Sequence, residues 1–369
     1  MFNRVTFEKE AYFGGARFEA YTSFSSASFR GKATFAPTYF EGEVSFSEAS
    51  FQSSSNFLQA EFKGTAQFSS TKFQGRAGFG YAIFARAASF FFATFAAAAD
   101  FRFAMFQQLA DFSHATFGDY VEFGARDKRT VFGETSSMDL QYTKYTHPDR
   151  ITFNSLTLRP HWFVNSDPRK FGFTDVEWRG TVLQEIECLK NMQQTSPHRL
   201  LAPPYNLLGI AIRNLAVNSE ENHRYEEASD FRYMAMEVRR VQIWRGFVPW
   251  RLSWWYWLAS GYGERALRAL LGLVVIWFVA GLLYTRVGFV RWEARIATES
   301  DVARAKRDDV VAPLKFSRAL TYSAGVMTLQ KPEPKPATTV AQTVVLLETI
   351  LGPVQAALLA LAIRRKFMR

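Results

Sequence analysis

Cysteine is almost missing from the chain. Cys188 is the single one in 369 residues, so no intrachain disulfide can form, and a reducing compartment fits. Histidine is scarce too. His198 and His223 stand alone, without partners at ligand spacing, so no metal site is expected. No Ser/His/Asp or Cys/His constellation, Gly-rich phosphate loop or metal-ligand cluster stands out, so neither an enzyme nor a bound cofactor is expected. Residues 1–10 contain no apolar core of the kind a secretory signal needs. An excess of one charge sign is also absent from the first half. Residues 1–180 carry 19 basic and 18 acidic side chains, although the whole chain nets +10. Such a balance gives no field to steer a nucleic acid, and none is expected as partner.

Phenylalanine is what the first half has in excess. Rings stand at 2, 7, 13, 18, 24, 29, 35, 40, 46, 51, 57, 62, 68, 73, 79, 84, 90, 95, 101, 106, 112, 117 and 123. Steps of five and six alternate without a miss. A helix needs apolar positions three and four apart, and a continuous strand needs two. A step of five along one strand would flip the ring to the other face. The pattern works if the chain turns a corner after each short unit, so that every Phe points into a coil. The residue two before each ring is small, as at Ala33, Ala49, Ala66 and Ala88, and shares the interior with it. Self-similarity of fixed period is the signature of a solenoid. With strands about 4.8 Å apart, the rings stack into ladders, and the 23 regular units make about six coils if each coil has four sides. The one-residue lengthening is expected to set the corner geometry. Open strand edges and an apolar end at the first coil call for a cover, by another subunit, a partner or preceding residues.

The repeat, small-x-Phe-x-x then small-x-Phe-x-x-x, resembles the pentapeptide-repeat family. The resemblance is clear over residues 1–125 and extends to Trp178 through Ile151-Thr152-Phe153, Leu156-Thr157-Leu158 and Val176-Glu177-Trp178. It implies a right-handed four-sided β-solenoid over residues 1–180. Some members of the family mimic DNA with an acidic surface, a role the balanced charge argues against.

Residues 181–257 read as a helical linker. Tyr205–Val217 and Glu220–Trp244 carry apolar residues at three and four, with Asn218 or Ser219 expected to cap the second helix. At the end of this linker Trp250, Trp254, Trp255, Trp257, Tyr256 and Tyr262 mix with Arg245, Arg251 and Arg265. That combination marks a segment lying at the lipid headgroups.

Residues 258–369 hold two long apolar stretches. Ala266–Val290 contains LLGLVVIWFVAGLLY, and Thr338–Ile363 ends against Arg364, Arg365, Lys366 and Arg369. Each exceeds the roughly 20 residues that cross a bilayer. Glu348 falls inside the second, where a carboxylate needs water or a protein partner. Gln342, Val345, Glu348, Thr349, Gly352 and Gln355 share one helical face and are expected to line a pore. Glu348 also has a plainer reading, a buried helix–helix contact. Gly352-Pro353 is a natural place to kink. Between the spans, Leu314–Leu329 is one helix long and too short to cross, which points to a re-entrant helix. The missing signal and the folded N-terminal domain favour both termini in the cytoplasm and the chain, multi-pass, in the inner (plasma) membrane; the basic tail agrees.

This order of elements resembles the two-transmembrane pore domain of the potassium-channel superfamily. SRALTYSAGVMTL stands where the pore helix would, and LLETILGPVQAALLALAIRRKFMR where the inner helix would. The filter and mouth would then be Thr328, Leu329, Gln330, Lys331, Glu333 and Lys335. Potassium filters carry Thr-Val-Gly-Tyr-Gly, whose carbonyls replace the hydration shell. Residues 328–333 contain no Gly, so the alternating backbone of such a filter is out of reach. The resemblance implies a homo-oligomeric ion channel, a tetramer, passing inorganic ions, in contact with membrane lipid and with a cytoplasmic solenoid as sensor or scaffold for a protein partner. The alternative is a non-conducting, membrane-anchored interaction scaffold.

Overall fold

A computed structural model describes residues 1–126, 131–133, 135–195, 202–243, 252–292 and 309–367. The chain divides into two compact units, Met1–Gln242 and Ile243–Arg369.

The first unit is built on a β-solenoid of about eight turns. Its strands are two to four residues long and pair in parallel into sheets of seven, eight, five and six strands, followed by a two-stranded sheet. Register follows the sequence period. Thr6 pairs with Ser28, Ser28 with Ser50, Ser50 with Lys72, and Lys72 with Thr94. Each step is 22 residues, the sum of two fives and two sixes. The rings are the core, with Phe24 to Phe123 all almost wholly buried, as are Ala33, Ala49, Ala66 and Ala88 between them. Successive coils set ring on ring. Phe62 lies 5.1 Å from Phe40 and 4.7 Å from Phe84, within 6° of parallel. Ring faces touch at roughly 3.5 Å, so a 4.7–5.1 Å centroid distance means the rings are slid past one another, the favoured offset stack. Across the tube the contacts are edge-on, as between Phe57 and Phe68 at 86°.

The corners turn in two ways. Two residues after the ring, every five-residue step between Phe2 and Phe117 except that of Pro37 places a residue with positive φ: Arg4, Gly15, Ser26, Glu48, Gln59, Ser70, Tyr81, Phe92, Phe103 and His114. The six-residue steps turn without one. The extra residue therefore relieves backbone strain, and the tight corner belongs to the shorter step. Side chains other than Gly in this region cost about 1 kcal/mol or more each, which the ladder pairing on both sides offsets.

Beyond Phe123 the steps lengthen, yet the stack continues. Phe101, Phe123, Phe153 and Phe173 follow one another at 5.0, 5.2 and 5.4 Å. The coil thus runs on past the regular repeat, which is why about eight turns form rather than six. Helices α1 (Val182–Thr195), α2 (Pro204–Glu221) and α3 (Tyr225–Ile243) close its end. Ile186, Leu189, Leu208, Ile212, Leu215 and Phe231 join the same apolar core as the rings. Trp178, on the last strand, packs edge-on against Phe231 at 5.1 Å. The sequence-based linker therefore splits, its helices belonging to the solenoid's unit. Asn218 caps no helix; it lies inside α2. Fully buried, it donates from Nδ2 to the carbonyls of Pro168, Arg169 and Phe171 at 3.0, 3.0 and 2.8 Å. The break between α2 and α3 comes later, at His223 with φ 57°.

In the second unit α4 (Leu252–Ser260) precedes α5 (Ala266–Tyr284), α6 (Phe316–Met327) and α7 (Thr339–Phe367). Strands Phe289–Trp292 and Asp309–Ala312 pair antiparallel after α5. Trp250, Arg245 and Arg251 of the aromatic segment, most of the charged stretch after Trp292, and Arg369 lie outside the described residues.

Phe62→Ala should cost about 3–5 kcal/mol, the usual penalty for a large core cavity. Lys63→Ala, which removes a half-exposed pair with Glu41, should be nearly neutral. Chemical denaturation followed by far-UV circular dichroism checks both. Asn218→Ala takes the amide away from the Arg169 and Phe171 carbonyls, while the Pro168 carbonyl keeps the Phe171 N–H, and should cost about 1–3 kcal/mol by the same measurement; an unchanged midpoint would show that α2 is not held there.

Candidate pore region

α5 and α7 are both long and apolar enough to cross a membrane, over Ala266–Tyr284 and Thr339–Arg364. Their apolar side chains face outward rather than into the unit. Leu267, Leu271, Val275 and Phe278 on α5 are exposed, as are Val340, Leu346, Leu347, Ile350 and Val354 on α7. The side of α7 that packs inward is the polar one, carrying Ala341, Glu348, Gly352 and Gln355.

Glu348 is 3% exposed. Its carboxylate accepts from the Tyr284 hydroxyl at the end of α5 and from the Ser323 hydroxyl on α6. Ser323 also lies 3.1 Å from the Trp277 carbonyl, and the Trp277 indole N–H donates to the Leu320 carbonyl at 2.9 Å. Three helices thus meet at one acid. In an apolar surround a carboxylate without donors would be costly, and these two hydroxyls meet that need within the chain. Tyr284 stacks edge-on against Phe289 and Tyr322, which shut the cluster in.

One turn on, Gly352 faces Met327, and a Cβ there would come within 3.0 Å of Met327 Cγ. The small residue lets α7 approach the end of α6. Gln355 donates from Nε2 to the carbonyls of Ala259 and Ala269 at 2.7 and 2.8 Å, tying α7 to α4 and α5. Of the six residues expected along a pore, Glu348, Gly352 and Gln355 are thus covered by the chain's own helices. Val345 and Thr349 are half-buried, the latter donating to the Val345 carbonyl at 2.7 Å. Gln342 is exposed.

The expected filter segment begins as a helix end. The Gln330 N–H donates to Gly325 O and the Leu329 N–H to Val326 O, the paired bonds of a Schellman cap. Leu329 holds the left-handed position, φ 62°, that Gly usually takes. Thr328 turns its hydroxyl back to the Ala324 and Gly325 carbonyls. The chain then leaves through Pro332, Pro334 and Pro336, tied to the hairpin by Val290 N–H on Lys335 O and Ala337 N–H on Gly288 O. The side chains of Leu329, Gln330, Lys331, Glu333 and Lys335 are exposed.

Tyr284, Ser323 and Trp277 escaped the sequence reading. The one signal pointing to them was the need of Glu348 for a partner, and no local spacing says which of three helices supplies it.

Residues 2–50 and 38–83 match the family described as pentapeptide repeats (nine copies), so the N-terminal coil is a pentapeptide-repeat solenoid. No potassium-channel family matches the second unit. No curated protein and no solved structure matches the chain.

Glu348→Ala removes the shared acceptor of two enclosed hydroxyls; Ser323 can still donate to the Trp277 carbonyl, so the cost should come mainly from Tyr284, about 1–3 kcal/mol to the second unit. Glu348→Gln keeps an acceptor and should cost less. Melting of the detergent-solubilised chain separates the two; an Ala variant as stable as wild type would mean the cluster does not hold α6 in place.

Proposed function

We propose that the chain is the subunit of a homotetrameric ion channel of the inner (plasma) membrane. Both termini lie in the cytoplasm, and the solenoid, a right-handed coil with its sheets as four faces, serves as sensor or scaffold for a protein partner. The observation that carries this reading is the place of α6. It is 12 residues long, too short to cross a bilayer at 1.5 Å per residue. It packs between two helices that are long enough and opens into a proline-rich exit. Such a short helix held between two spans is the re-entrant arrangement, tolerated at membrane depth where protein or a watery cavity surrounds it.

With Glu348, Gly352 and Gln355 taken up inside the subunit, Gln342 is the polar side chain of that face left open, with Val345 and Thr349 on its border. These would meet inorganic ions along α7. At the mouth Lys331 and Lys335 are only partly offset by Glu333, a ring that leans toward anions. Without Gly over 328–333 there is no backbone filter to prefer potassium. Lipid covers the apolar outer faces of α5 and α7.

A second reading, a non-conducting membrane-anchored scaffold, is favoured by the enclosure of Glu348, which leaves α7 with few polar groups for a water path. Purified protein in planar bilayers under opposed potassium and sodium gradients decides. A channel should give currents reversing close to zero. A strongly potassium-selective reversal would refute the filter argument, and no conductance would leave the scaffold.

A further inference from the structure

Where the last coils meet α1 lies a cavity of about 300 Å3, whose lining includes Ser136, Thr157, Arg159, Trp162, Arg179 and Gln184. We propose that this cavity binds a small acceptor-rich anion, of phosphate or carboxylate class. It lies wholly within the first unit, so the inference does not depend on whether the second unit conducts.

The case is an inventory of donors. Trp162 is 3% exposed, and its indole N–H, which can only donate, is buried without an acceptor among the described residues. Thr157 is 6% exposed, and its hydroxyl likewise has no partner there. Native proteins rarely leave such groups unmet. Two guanidinium groups border the same space. Arg159 turns Nε to Glu185 Oε1 at 3.2 Å, and Arg179 turns Nε to Glu177 Oε1 at 3.0 Å. Each guanidinium has five N–H donors, so the pairing leaves donors on both.

Among the described residues most acceptors nearby are engaged. Glu185, fully buried, takes the His161 N–H at 2.9 Å and His161 Nδ1 at 2.6 Å on Oε2, while Oε1 has only its ion pair with Arg159 and no hydrogen bond. Gln184 and Thr181 close the start of α1 on each other, Thr181 N–H to Gln184 Oε1 at 2.9 Å and Gln184 N–H to Thr181 Oγ1 at 3.4 Å. The Ser136 hydroxyl donates to the Phe106 carbonyl at 2.5 Å. Gly180, φ 101°, is fixed by the same packing, since a Cβ would fall 2.0 Å from Glu185 Oε1. What remains is a pocket of donors beside two cations, held rigidly by the coil. Oxyanions suit such forks, with short charge-assisted bonds. Bridging a coil and α1, a bound anion would stabilise the docked helix.

The test uses the full chain in detergent, titrated with sodium phosphate and separately with sodium acetate, sodium chloride holding ionic strength constant. The readout is the thermal midpoint of the solenoid, which binding to the folded state must raise. A saturable rise is expected with at least one anion, and the anion that gives it identifies the class. Arg179→Gln, at a partly exposed position, should melt like wild type without anion and bind about tenfold more weakly. Arg159→Lys keeps a charge against Glu185 but loses the fork, and should also weaken binding. No saturable response to either anion, or an undiminished response in Arg179→Gln, overturns the proposal.

Discussion

The first unit depends on one contact repeated, a phenylalanine ring lying on the ring 22 residues before it. Phe57 and Phe79 are 4.8 Å apart with parallel planes, and the neighbouring ladders repeat this with little change. The ring spacing and the strand spacing are the same length, so side-chain stacking and backbone pairing reinforce each other coil after coil. Because each ring is held above and below, the short strands between need no cross-sheet length of their own. Two residues suffice where an isolated strand of that size would not form. The small residue beside each ring is the other half of the constraint, since a second large side chain would not fit.

The second unit is organised around the opposite problem. Its helices turn apolar surface outward and keep polar groups inside. Glu348, Ser323 and Tyr284 are costly to place anywhere but against one another, and Gln355 anywhere but against free carbonyls, and so they set how α5, α6 and α7 pack. Close approach at Gly352 and at Gly281, where a Cβ would lie 2.6 Å from Leu320 Cδ2, follows the same logic. Small residues let helix backbones draw near.

The solenoid was readable because its period is strict and its core residue is one of the largest. The coil's continuation past Phe123 was fainter, since Leu156, Leu158, Trp162 and Trp178 replace Phe and the steps lose their rhythm. The corner chemistry was hidden for another reason. Arg4, Ser26, Glu48 and Gln59 adopt a backbone that Gly or Asn normally signals, so nothing in their identity marks the turn. Asn218 looked like a helix cap from its neighbours, while its function is to bind three carbonyls some 47 to 50 residues away in sequence. In the second unit the polar stripe of α7 was legible from spacing. Its direction was not, because a stripe facing a neighbouring helix and one facing water have the same period. The three-helix cluster at Glu348 and the donor pocket at Trp162 are long-range assemblies of that kind.

The ladder of rings is tested most directly by hydrogen–deuterium exchange across the intact chain. Each strand between Phe24 and Phe117, except Met105–Phe106 at the end of its sheet, is paired on both sides, and all share one core, so peptides from all four sheets should exchange slowest in the chain and at similar rates. Exchange of one sheet at the rate of exposed corners, or rapid exchange throughout residues 24–117, would contradict a core built from stacked phenylalanines.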